Sequence, residues 1–171
     1  MDKKTFLSDR QEGLRPGVVV CVIDRDSKIL LGKKEKYQIW ELPQGGIAEN
    51  ENLESAIKRE IIEELGNSFL PAIFVPEQPL VHIDQVIFPE NTVKEKFLSA
   101  GEKSFPMLGK KYYFCLAAKT KDIEPEKFEY QDFKWVSYDE GIKLIEAIPQ
   151  KGKKRILKTI FSILKENQFI K

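Results

Sequence analysis

Residues Gly17–Ile23 read GVVVCVI, a nearly unbroken apolar run dominated by valine. β-branched residues favour the extended chain, and a run without polar alternation suits a strand buried on both faces. The turn residues Asp24–Ser27 follow, and Lys28–Gly32 (KILLG) resumes an extended pattern, so the pair predicts a hairpin. Ile39–Leu42 is short and apolar. Pro43-Gln44-Gly45-Gly46 then reads as a loop in which backbone can approach a ligand closely. Further strands are predicted at Leu80–Phe88, Lys111–Ala118 and Phe133–Val136, and helices at Tyr138–Ala147 and Gly152–Asn167. In the last helix Ile156, Leu157, Ile160, Phe161 and Leu164 share one face. Met1–Leu14 is polar and is expected to be a flexible N-terminal segment, with a single domain over 15–171. Pro89–Leu108 is expected to be a long polar excursion.

Several function classes are excluded early. Lys and Arg number 28 against 27 Asp and Glu, a formal net charge of +1. Such a chain has no global field to recruit duplex DNA. One histidine, His82, leaves little material for a zinc site or a serine triad. Cys21 and Cys115 lie in apolar runs and read as buried thiols of a reducing compartment. No apolar run approaches the ~18 residues of a membrane span, and no leader pattern opens the chain. A cytoplasmic protein with no membrane partner is expected, and the oligomeric state is left open.

The clearest helix is Asn52–Leu65, with Asn52 as N-cap, Glu54 in the first turn and Gly66 as terminator. Leu53, Ile57, Ile61 and Leu65 form its buried stripe. Glu60, Glu63 and Glu64 stack on one side, at spacings of three and four. At ~5 Å and an effective dielectric near 20, each such pair costs roughly 3 kcal/mol before screening. A hard divalent cation removes that cost, and Mg²⁺ characteristically binds one or two carboxylates together with substrate phosphate. Acidic pairs on helices are usually solvated faces, and Lys58 and Arg59 also balance these charges, so periodicity alone does not make a metal site.

The spacing is more specific than the periodicity. From Gly45 the chain reads glycine, five residues, Glu51, seven residues, Arg59-Glu60-Ile61, one residue, Glu63-Glu64, one residue, Gly66. This resembles the Nudix box, G-x5-E-x7-R-E-U-x-E-E-x-G-U with U aliphatic; the last U is replaced by Asn67. The flanking Trp40-Glu41-Leu42-Pro43-Gln44-Gly45-Gly46 is similar to a segment of one branch of that superfamily. The branch contains RNA pyrophosphohydrolases and asymmetrical diadenosine tetraphosphate hydrolases. Arg15-Pro16, Gly109–Phe114 and Glu129–Tyr138 are similar to it too.

The resemblance implies an α+β Nudix fold, a mixed β-sheet sandwiched between α-helices. It implies Mg²⁺, with Mn²⁺ as substitute, and Gly45, Glu60, Glu63, Glu64 and Glu129 as metal ligands. Glu63 or Glu129 would serve as general base, and Glu51 would brace Arg59. Lys33, Lys111 and Lys151 are candidates for substrate phosphates, and Tyr113 and Tyr138 for stacking on a base. The implied reaction is hydrolysis of a phosphoanhydride in a nucleoside-polyphosphate derivative. A dinucleoside tetraphosphate ranks first and an RNA 5′ end second. ADP-ribose or a modified nucleotide is a further alternative. A silent nucleotide-binding module is disfavoured, because binding alone needs no five crowded carboxylates.

Overall fold

In a computed structural model, residues 3–90, 96–127 and 129–171 are described. The valine run lies in the central strand β1 (Leu14–Ile23), and it is buried on both faces as its composition requires. Val18, Val20 and Val22 enter one core layer, whereas Val19 and Cys21 enter the other. Each fully buried valine is worth about 1.5–3 kcal/mol, so this single strand binds both layers together.

Around β1 the chain adds β2 (Ile29–Lys34), β3 (Ile39–Glu41), β4 (Gln44–Gly46), β5 (Ile73–Phe74) and β6 (Leu80–Ile87). A separate hairpin β7 (Phe97–Ala100) and β8 (Lys103–Pro106) follows, then β9 (Gly109–Lys119) and β10 (Asp132–Val136). The main sheet runs β10-β2-β1-β9-β5, with β3 on β2, β4 on β1 and β6 on β9. β1 and β9 pair in parallel from Leu14↔Gly109 to Ile23↔Ala118, and the other pairings are antiparallel, so the sheet is mixed.

Helices cover both faces. On one side lie α1 (Lys3–Gln11) and α2 (Leu53–Leu65), which bury Phe6, Leu53, Ile57, Ile61 and Leu65 against Tyr113 and Cys115. On the other lie α3 (Tyr138–Glu146) and α4 (Lys151–Glu166), which bury Ile145, Ile156, Leu157, Ile160, Phe161 and Leu164 against Phe114. The expected α/β/α layering is present. Both cysteines are free and buried, and no helix among the described residues is long and apolar enough to cross a membrane.

Three expectations are corrected. The N-terminal segment, whose residues 1–2 lie outside the described set, is not loose from Lys3 onward: it forms α1, with Phe6 edge-on to Tyr113 and Asp9 buried, because one aromatic and one buried carboxylate suffice to dock a polar helix. The folded unit therefore begins before Arg15. Gln44–Gly46 is a strand rather than a loop, paired Gly17↔Gly46 and Val18↔Gly45. The excursion after Pro89 contains the β7–β8 hairpin; its residues 91–95 lie outside the described set.

Candidate active site

The helix α2 is built as its sequence predicts. The Asn52 side chain accepts from the Ser55 amide at 2.8 Å, and Gly66 closes the helix at φ 94°, where a side chain would be strained. Its buried Glu60 lies against β4. A Cβ on Gly45 would collide with the Glu60 carboxylate, so only glycine lets this backbone lie against that acid.

Arg59 organises the surrounding loop. It donates to Glu51 at 2.6 and 2.9 Å, to Glu60 at 2.5 Å, to Glu63 at 2.9 Å and to the Gly46 carbonyl at 2.6 Å. Glu51 in turn accepts from the Ala48 amide at 2.8 Å. These bonds to Arg59, with the Ala48 amide, hold the Glu51 carboxyl below its ordinary range despite partial burial. Glu51 thus braces Arg59, as the resemblance implies.

Glu60 and Glu64 are buried, and burial raises the pKa of both although Arg59 relieves the first and Tyr130 and Lys34 the second. Lys34 sits 3.0 Å from Glu64 and 3.4 Å from Glu41, and these acids raise its pKa against the effect of burial. Glu64 Oε2 is buried and has no hydrogen-bond partner of ordinary geometry among the described residues, nor has the nearby Tyr130 hydroxyl. Glu63 is more than half exposed.

An orphaned carboxylate oxygen, a second buried carboxylate and a glycine backbone pressed against it make a set of hard oxygen donors. That set fits a Mg²⁺-type cation, which needs few protein ligands beside substrate phosphate. No group of three Asp, Glu, His or Cys among the described residues forms a ready cage. Glu129 stands exposed in the loop before β10, where it makes no described hydrogen bond or ion pair.

Beside the acids opens a groove of about 310 Å³ lined by Arg15, Lys34, Tyr37, Glu41, Gly45, Gly46, Lys110, Tyr112 and Lys153, among others. Lys110 and Arg15 have no ion pair among the described residues. Burial lowers the Lys110 pKa, with Arg15 and Lys153 adding repulsion. Buried Glu41 is ion-paired with Lys34 and Lys153. A larger apolar cavity of about 570 Å³, including Val86, Phe88, Phe114, Ile156 and Leu157, shares Gln44, Tyr112 and Lys153 with the groove.

The residues expected to meet substrate are placed as follows, and the groove is lined by their neighbours instead. Lys111 points to the other face of β9 and binds Asp9 at 2.6 Å; its neighbour Lys110 lines the groove. Tyr113 is fully buried and donates its hydroxyl to Asp9, so it cannot stack on a base; Tyr112 lines the groove. Lys33 does not line the groove, and Lys34 does. Lys151 is exposed at the start of α4, and Lys153 reaches inward to Glu41. Tyr138 opens α3 beneath Lys165, away from the groove. Successive strand residues point to opposite faces, so an adjacent pair of lysines or tyrosines carries no signal of which one faces the site. Glu41 and Tyr130 were missed as well. Glu41 is held by Lys34, seven positions back, and by the distant Lys153, and Tyr130 meets Glu64 and Lys34, so neither role shows in the local sequence.

The NUDIX domain family matches residues 13–158. Over 55 residues the chain is 38% identical to an RNA pyrophosphohydrolase of Hydrogenovibrio crunogenus, which is 32% of the chain and only 33% of that protein. Over 163 residues it is 28% identical to the RNA pyrophosphohydrolase of Ruthia magnifica subsp. Calyptogena magnifica, covering 92% of the chain and 87% of that protein. Among solved structures, a C. elegans Ap4A hydrolase superposes with a TM-score of 0.58 at 16% identity, over 90% of this chain and 99% of that one. That likeness speaks for the fold alone.

Proposed function

The chain belongs to the Nudix family, and from that premise we propose that this hydrolase cleaves a phosphoanhydride of a 5′-polyphosphorylated nucleotide with Mg²⁺ at the α2 carboxylates. The observation that carries the reading is the meeting of two opposite charge sets. Buried Glu60 lies against Gly45, buried Glu64 follows one turn further along α2, and Arg15, Lys34, Lys110 and Lys153 line the adjoining groove. A polyphosphate chain is the ligand that satisfies both, being held by cations along its length and by metal at the scissile group.

Glu60 and Glu64 would hold the metal with the Gly45 carbonyl, and Arg59 would fix Glu60 while Glu51 fixes Arg59. When bound, Mg²⁺ neutralises phosphate charge and acidifies a water. The accessible Glu63, or Glu129 on the Tyr130 loop, would take a proton from the attacking water. Lys110, Arg15 and Lys153 would stabilise the departing phosphate, whose charge grows as the bond breaks. The apolar cavity beyond Tyr112 would receive the first base.

For the substrate we place the RNA 5′ end first and a dinucleoside tetraphosphate second, the reverse of the order expected from sequence motifs. The support is the relative that matches along 92% of the chain, whose name is RNA pyrophosphohydrolase. The test is a panel with and without Mg²⁺. Pyrophosphate released from triphosphorylated RNA supports the first reading, and unequal splitting of diadenosine tetraphosphate in its place supports the second. No cleavage of either, or of ADP-ribose, defeats the proposal.

A further inference from the structure

The loop from Gly46 to Glu51 is held from two directions. Arg59, inside the box, binds the Gly46 carbonyl at 2.6 Å. Arg10, far outside it on α1, binds the next carbonyl, that of Ile47, also at 2.6 Å. Two consecutive carbonyls are thus each fastened by an arginine, immediately after Gly45. The Ile47 amide is tied as well, to the Pro16 carbonyl at 3.0 Å, and its side chain is buried.

Arg10 is itself fixed. Its other terminal nitrogen reaches the Ser99 carbonyl on β7 at 3.4 Å. At the tip of the same hairpin the Gly101 amide donates to Glu49 in the loop. The adjacent Asp9 anchors α1 to the sheet through Lys111 and the Tyr113 hydroxyl. Helix α1 and the β7–β8 hairpin therefore converge on one short stretch of backbone, although they lie about forty residues before it and fifty after it in sequence.

We infer that Arg10 is a positioning residue for the metal-binding segment, which fixes the setting of the Gly45 carbonyl by clamping the Ile47–Ala48 peptide, two peptides beyond it. The inference rests on the metal role proposed for Gly45. A guanidinium suits the task because its rigid fork reaches the Ile47 and Ser99 carbonyls together, which an ammonium cannot do with the same geometry. Groups that orient a metal ligand without touching the metal typically change affinity by 10–100-fold.

The test measures Mn²⁺ affinity of the full chain, without substrate, by electron paramagnetic resonance, together with melting temperature and with kcat and KM. R10M is expected to weaken Mn²⁺ about tenfold and to lower kcat at limiting Mg²⁺ while KM stays within twofold. R10K, which keeps one donor, is expected to weaken Mn²⁺ about threefold. R10K also serves where R10M does not fold. A folded R10M or R10K with wild-type Mn²⁺ affinity overturns the inference, whatever its melting temperature. A wild-type chain that binds no Mn²⁺ sinks the functional proposal instead, so the two failures are told apart.

Discussion

The acidic half of the site and the basic groove beside it are built in opposite ways. The acidic half, Glu51 to Glu64, comes from one loop and one helix, contiguous in sequence and fixed by helical spacing. The basic half takes Arg15 from β1, Lys34 from β2, Lys110 from β9 and Lys153 from α4. One is a local motif; the other exists only once the sheet has formed. The acids are also paired within the fold, to Arg59 and Lys34, whereas Arg15 and Lys110 carry no ion pair among the described residues. Under the proposed function, the acids serve catalysis and the bases hold substrate.

That assignment is most exposed to substitution in the acidic half. Glu64→Gln removes the orphaned buried oxygen's charge and is expected to lower kcat at least ~100-fold with the fold intact, as loss of metal or base support does. Near-normal turnover would break the comparison at once. In the basic half, Lys110→Met is expected to raise KM about tenfold, the loss of one charged phosphate contact of ~1.4 kcal/mol. Lys111→Met should leave KM within twofold, since that side chain faces Asp9. Equal effects in the two variants would show that the face of β9 does not matter.

Metal should also be visible in stability. At 100 times its Kd, Mg²⁺ adds about 2.7 kcal/mol to the folded state, which is roughly 5–10 °C for a chain of this size. Differential scanning fluorimetry should show that shift in the wild type and little of it in Glu64→Gln. The smallest expected effect is on pH. Burial and neighbouring cations lower the Lys110 pKa, so its charge is lost at a pH below that of an ordinary lysine. kcat/KM should therefore fall early on the alkaline side, and Lys110→Arg, which keeps its charge, should move that limb upward. An unmoved limb would remove Lys110 from the phosphate contacts.

Legibility in the sequence followed the same division. The stripe Leu53, Ile57, Ile61 and Leu65 is buried as its four-residue spacing demands, and the Asn52 cap and Gly66 terminator stand where expected. The bracing of Arg59 by Glu51 is also present. The groove is lined by Lys34, Lys110, Tyr112 and Lys153, one or two residues from the expected Lys33, Lys111, Tyr113 and Lys151, and the docking of α1 was not foreseen. Phe6 and Asp9 are unremarkable in a polar stretch until Tyr113 and Lys111 arrive from a hundred residues away.

The sequence alone determined the reactive helix and the doubly buried central strand, because periodicity and capping are properties of neighbours along the chain. Tertiary structure decided which lysine and which tyrosine face the groove, how Glu41 is neutralised, and what clamps the loop after Gly45. Those outcomes depend on strand register and on which faces meet, and both are set by packing between segments that have no local means of specifying one another.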